Sequence, residues 1–161
     1  MYATIIYHSE SGNTKLMAEL IASSMNAVEG MEATTFDIDN IDLEYAKKSK
    51  CIIIGTPIYA AGATAKVFSF LQTNFSECEP AGKLGGAFAT ANYVHGGGEI
   101  GIRSILDAMM VKGMLVYSGG AAYGKPVIHL GPVGLGADPK YTESFFEEYG
   151  KRMATKAVEL F

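Results

Sequence analysis

The stretch IIYHSESGNT, residues 5–14, passes from a short apolar run through a loop of hydroxyls into a helical pattern. Within the loop one acid, Glu10, stands among neutral donors, and no base occurs before Lys15. Met17, Leu20, Ile21 and Met25 then mark a helical stripe. Backbone N–H groups at such a helix start, with the positive end of the helix dipole, form an anion site. Ser9, Ser11 and Thr14 add hydroxyl donors, and Gly12 lets the backbone turn closely. A site of neutral donors suits a phosphate monoester held without Lys or Arg. The competing role for Ser11 or Asn13 is a plain helix cap.

Outward from this loop, apolar runs and helical stripes alternate to the end of the chain. Strands are expected over Ala3–Tyr7, Ala33–Asp37, Cys51–Gly55, Gly85–Thr90 and Met114–Tyr117, with Val127–Leu130 continuing the last after an interruption. Only the second has a half-exposed pattern. The others are continuous apolar runs, as strands covered on both faces of a parallel sheet require. Val67, Phe68 and Leu71 mark a helix, and Ile102, Ile105, Leu106 and Met109 mark another. A last helix is expected to open with Asp138 as N-cap and Pro139 in its first turn, turning Phe145, Phe146, Tyr149 and Met153 inward. Strand–helix repetition with right-handed crossovers gives a doubly wound α/β fold over one domain, residues 1–161. In such a fold the ligand lies beyond the carboxyl ends of the strands, at the switch point.

Composition narrows the function classes. A formal net charge of -4 and no basic cluster beyond Lys47-Lys48 argue against a nucleic-acid partner. No apolar stretch is long enough to span a membrane, and Met1-Tyr2-Ala3-Thr4 lacks the pattern of a signal peptide. Cys51 and Cys78 form neither CxxC nor a metal spacing. Cys51 reads as a buried small hydrophobe, Cys78 as a free thiol in a polar loop, and both fit a cytoplasmic location. A phospho-acceptor receiver would need Asp closing the third strand, where Gly55-Thr56-Pro57 stands. Cys-x5-Arg and GxxxxGK[ST] are both absent.

Two further loops belong with the first. Thr56-Pro57-Ile58-Tyr59-Ala60-Ala61-Gly62 follows the third strand and sets an aromatic ring beside small residues, which leaves room for a planar group. Thr90-Ala91-Asn92-Tyr93-Val94-His95-Gly96-Gly97-Gly98-Glu99 follows the fourth and again pairs an aromatic with glycines. Gly96, Gly98 and Gly101 formally spell GxGxxG. They do not close the first strand and no acid follows at ribose distance, so a dinucleotide site is rejected.

SESGNT after the first strand, with these two loops in order, resembles the phosphate signature [ST]-x-[ST]-G-x-T of flavodoxins and flavodoxin-like FMN proteins. Flavodoxin is the usual example of a five-stranded 2-1-3-4-5 sheet with FMN at its switch point. The resemblance implies that Ser9, Glu10, Ser11, Gly12, Asn13 and Thr14 surround the FMN phosphate. Thr56, Pro57, Ile58 and Tyr59 would line the isoalloxazine and ribityl chain. Thr90, Asn92, Tyr93, Gly96 and Gly97 would close the far side, with Tyr93 a candidate for stacking. No metal is expected.

Two functions go with that resemblance: a one-electron carrier between protein partners, and an enzyme passing electrons from NAD(P)H through FMN to a quinone or other small acceptor. The modest net charge favours the enzyme, because carriers are usually strongly acidic. His95-Gly96-Gly97-Gly98-Glu99 and Met110-Val111-Lys112-Gly113-Met114, with Ala122-Tyr123-Gly124, are similar to the quinone oxidoreductases once described as tryptophan-repressor-binding proteins. The chain is shorter than those and lacks the insertion their tetramers use, although a homodimer closing over the flavin fits the resemblance. His95 is the candidate catalytic group, able to donate a proton to a quinone oxygen. The glycine-rich Gly131-Pro132-Val133-Gly134-Leu135-Gly136 either approaches the flavin or is slack before the last helix.

Overall fold

Successive residues of a strand point to opposite faces of a sheet, and the central strand β3 (Cys51–Tyr59) uses both. Cys51 and Ile53 enter one core with Ile5, Met17, Ile21 and Phe146, whereas Ile52 and Ile54 enter a second core with Val67, Phe75, Ile102 and Ile105. A continuous apolar run is therefore what a doubly covered strand needs. The computed structural model describes residues 1–136 and 142–161. Before β3 come β1 (Tyr2–Tyr7), α1 (Asn13–Asn26), β2 (Glu32–Asp37) and α2 (Leu43–Lys48). After it come the two-residue β4 (Gly62–Ala63), α3 (Ala65–Gln72), a 3-10 turn (Asn74–Cys78), β5 (Leu84–Ala91), α4 (Gly98–Val111), β6 (Leu115–Val116), β7 (Val133–Leu135) and α5 (Glu143–Leu160).

The sheet runs β2-β1-β3-β5-β6, every neighbouring pair on this path parallel. Counting these five strands alone, the order is the expected 2-1-3-4-5. Residues of α1 and α5 fill the core on one face, and those of α3 and α4 fill the core on the other. β4 lies off this path, folding back antiparallel on the end of β3. The second strand is half-buried, as its pattern indicated.

Four local expectations need correction. Val127–Leu130 forms no strand. The fifth sheet position is filled twice: Leu115 faces Leu84, and Val133 faces Ala89, both parallel to β5. Between these two short segments the chain leaves the sheet, and of the run at 127–130 Ile128 enters the α1–α5 core and Leu130 packs against the other, while Val127 is exposed. Cys78 sits buried in the 3-10 turn, not in an open loop. Phe70 takes the inward place on α3, and Phe68 is exposed. β3 also runs past Gly55 to Tyr59. Asp138 and Pro139 lie outside the described residues; the last helix begins at Glu143 and buries Phe146, Tyr149 and Met153, with Phe145 partly buried.

Arg152, on α5, anchors the excursion between β6 and β7. Its Nη1 donates to the Gly120 carbonyl at 2.9 Å, and its Nη2 reaches the carbonyls of Tyr123 and Gly124 at 3.4 Å. Its Nε donates to Glu148 at 2.8 Å. The side chain is almost wholly buried, so removing it leaves carbonyls and a carboxylate without a partner. Arg152→Met should lower stability by about 2–4 kcal/mol in urea titration and open residues 117–132 to limited proteolysis. The thiols give a second check. Burial pushes Cys51 up to about 12 and Cys78 up to about 11. Neither should react with a disulfide reagent at pH 8 in the native protein, and both should react in denaturant.

Candidate functional site

β1 and β3 pair as far as Tyr7 and Gly55, and β3 and β5 pair as far as Pro57 and Thr90. β3 therefore overshoots β1, and its last residues stand as a wall beside the loop that follows β1. Below that wall lies a cleft of about 270 Å³. The first loop contributes Ser11 and Asn13, the second Pro57, Ile58 and Tyr59, and the third Thr90, Ala91 and Asn92. Gly136, at the end of β7, completes the lining, its N–H bound to the Ala91 carbonyl. Three loops far apart in sequence thus meet at the carboxyl edge of the sheet.

α1 and α4 start differently from α2 and α3. α2 and α3 are capped by side chains: Asp42 accepts from the Tyr45 N–H, and Thr64 accepts from the Val67 N–H. α1 and α4 begin at glycines in the left-handed region, Gly12 at φ 92 and Gly97 at φ 95, and among the described residues no side chain caps either. Their first-turn N–H groups remain available as donors. Ser9 turns its hydroxyl inward to the loop, accepting from the Gly12 N–H at 3.2 Å. Thr14 is buried and shares a hydrogen bond of 2.8 Å with Thr90, joining the start of α1 to β5. No Lys or Arg lines the cleft, and Lys15 points to Glu19 at 3.9 Å.

The second loop is a hairpin. β3 returns through Ala60 and Ala61, both left-handed at φ 49 and 61, to β4. Such two-residue turns favour Asn-Gly, and alanine there carries strain of about 1 kcal/mol per residue. The turn is seated on α4. A Cβ on Gly97 would meet the Ala61 carbonyl oxygen at 2.3 Å, and one on Gly101 would meet the Ile58 side chain at 2.5 Å. Gly98 leaves the same kind of room for Val133 of β7, at 2.7 Å. Gly97, Gly98 and Gly101 are packing sites: they let the hairpin, β3 and β7 close on one helix start, whereas Gly96 of the formal GxGxxG lies against the Tyr93 carbonyl of its own loop.

The remaining expected residues stand around the cleft or behind it. Thr56 is fully buried, donating to the Pro57 carbonyl and accepting from the Thr64 N–H, so its hydroxyl is committed to the hairpin. Tyr93 and His95 are exposed on the rim and stack on each other, ring centroids 6.2 Å apart and planes at 21°. Gly96 and Gly97 shape the third loop behind them. Glu10 reaches across to the hairpin, its Oε2 accepting from the Tyr59 hydroxyl at 3.3 Å and its Oε1 lying 3.5 Å from Nε2 of His8. Burial and the Glu10 charge push the Tyr59 phenol above its ordinary value. Ala91 and Gly136 are the lining residues that pattern did not single out, although the glycine-rich run ending at Gly136 marked the place. Among the described residues no cluster of His, Cys, Asp or Glu could hold a metal ion, and no helix is long and apolar enough to cross a membrane.

The chain is similar to known proteins in sequence and in fold. A family profile described as a flavodoxin domain matches residues 4–88. A protein named flavodoxin from Clostridium saccharobutylicum is 38% identical over 161 residues, covering all of both chains. Among solved structures, a WrbA-like flavodoxin from Agrobacterium tumefaciens superposes with a TM-score of 0.82 at 21% identity, over 99% of each chain. A Fusobacterium nucleatum flavodoxin bound to flavin mononucleotide gives 0.69 at 19% identity, over 99% of this chain and 98% of its own.

The two glycine starts separate strain from crowding. Gly12→Ala should cost about 1 kcal/mol, because nothing lies within 4 Å of the added methyl and only φ is unfavourable. Gly97→Ala adds a clash with the Ala61 backbone and should cost about 2–3 kcal/mol. Urea titration of the two variants side by side checks the difference.

Proposed function

The chain belongs to the flavodoxin family, and from that premise we propose that it binds FMN in the cleft between the three loops and carries electrons between protein partners. The observation that carries the reading is the uncapped start of α1 at Gly12, with its neighbours Ser11 and Asn13 in the lining of a cleft that has no cation among its lining residues. A phosphate monoester fits this start, since amide and hydroxyl donors satisfy its oxygens and the helix dipole offsets its charge.

FMN supplies one- and two-electron redox chemistry when bound, and the protein supplies binding, orientation and electrostatics. Ser11, Asn13 and the first amides of α1 hold the phosphate, with Ser9 and Gly12 shaping the loop around it. Thr14 joins them if Thr90 donates in their shared bond, which frees the Thr14 proton. Pro57, Ile58 and Tyr59 form the wall against the ring system, and Thr90, Ala91 and Asn92 line the opposite side. Tyr93, Gly96 and Gly97 form the outer rim, and Thr56 fixes the wall from behind. Glu10 places exposed negative charge beside Tyr59 of the cleft, which disfavours adding electrons to a bound group. Residues 1–161 act as one FMN-binding unit in this reading.

The carrier is favoured over the NAD(P)H-dependent quinone reductase by the full-length relative named flavodoxin. The placement of His95 agrees, because it stacks on Tyr93 at the rim and does not line the cleft. The purified protein should take up FMN with a shifted visible spectrum and bind it at least tenfold more tightly than riboflavin, which lacks the phosphate. In anaerobic mixing, neither NADH nor NADPH should bleach the flavin, while a ferredoxin reductase with NADPH should. Bleaching by a nucleotide alone, with turnover on benzoquinone that His95→Ala slows, would make the protein a reductase instead.

A further inference from the structure

We propose that Glu10 is a positioning residue, whose carboxylate rises from the phosphate loop to hold the Tyr59 ring and join two of the three loops into one wall. The proposal rests on the flavin reading of the cleft. Glu10 occupies a variable place within the [ST]-x-[ST]-G-x-T pattern, and a phosphate loop has no need of an acid there. Its carboxylate is nevertheless engaged at both oxygens. Oε2 accepts from the Tyr59 hydroxyl at 3.3 Å, and Oε1 lies 3.5 Å from Nε2 of His8. His8 is itself buried at the end of β1, its N–H bound to the Gly55 carbonyl at 3.2 Å. The acid therefore spans from the sheet to the hairpin.

The span matters because the Tyr59 ring is half exposed and its hydroxyl is held by Glu10. Tyr59 is 48% exposed, and it ends β3 just before the strained alanine turn. Its backbone is set by pairing with Gly62, but its side chain is fixed by the hydroxyl. A hydrogen bond to a charged acceptor is stronger than one between neutral groups. Holding the ring at the cleft before a flat ligand arrives lowers the ordering cost of binding it.

A competing account makes Glu10 a bystander. In that case its negative charge only repels a phosphate in the same loop, and removing it tightens binding. The two accounts predict opposite signs. FMN and riboflavin dissociation constants, read by flavin fluorescence on the purified full chain, separate them. Under positioning, Glu10→Ala weakens both flavins about five- to tenfold, since the ring contact does not involve the phosphate. Glu10→Gln keeps an acceptor for Tyr59 and removes the charge, so it binds FMN as tightly as the parent or more tightly. Tyr59→Phe reproduces the loss seen in Glu10→Ala, and the double variant is no worse than either single one.

Glu10→Ala binding FMN as tightly as the parent or more tightly overturns the positioning role alone. Additive losses in the double variant do the same. A parent protein that takes up no FMN overturns the flavin reading and this inference with it. Circular dichroism of each variant without flavin shows that the fold is kept; should Glu10→Ala misfold, the contrast between Glu10→Gln and Tyr59→Phe decides by itself.

Discussion

A methyl group at Gly97 would stand 2.3 Å from the Ala61 carbonyl oxygen, so the start of α4 and the tip of the hairpin share a boundary that only glycine permits. The rest of the cleft is built outward from that contact. With the hairpin seated, Ile58 packs over Gly101 and Tyr59 comes within reach of Glu10. The left-handed φ of Gly97 also starts α4 without a side-chain cap. The same position thus sets the shape of one wall and leaves the helix donors free. Gly98 extends the pattern to β7, whose end carries Gly136 to the cleft.

Side-chain caps set α2 and α3 apart from α1 and α4. α2 and α3 satisfy their first-turn donors internally, through Asp42 and Thr64, and contribute no lining to the cleft. α1 and α4 forgo that stabilisation, worth about 1 kcal/mol per cap. In the proposed reading, donors left free for a phosphate cost stability until the ligand is present, and the two-faced core behind them supplies the margin. Both faces of β1, β3 and β5 are packed with Ile, Phe, Met and Ala, and Tyr149 and Phe146 of α5 fill the space left by small residues such as Gly86.

Where pattern was informative, it was because one periodicity served one purpose. IIYHSESGNT is legible since a strand, a turn and a helix follow without overlap, and the stripe Ile102, Ile105, Leu106, Met109 is buried along its whole length. The misread places are those where a run served another end. Val127–Leu130 has the composition of a strand but sends Ile128 and Leu130 to the two cores. The polar neighbours of Cys78 hide a 3-10 turn that carries it inward. Thr56 has the residue type of a ligand contact, yet its hydroxyl serves the hairpin, and only coordinates show which way it points. The bond between Glu10 and Tyr59 joins residues far apart in sequence, and no spacing rule forecasts such a pair.

The divided fifth strand bears on how this scaffold can vary. Register on either side of the gap is set by β5, at Leu84–Leu115 below and Ala89–Val133 above. The intervening chain is held from α5 by Arg152. Extra residues grafted near Tyr123, which is exposed, would lengthen an arm whose two roots stay in place. The fold thereby separates an adjustable outrigger from the end that carries the cleft, and new surfaces can evolve on the one without disturbing the other.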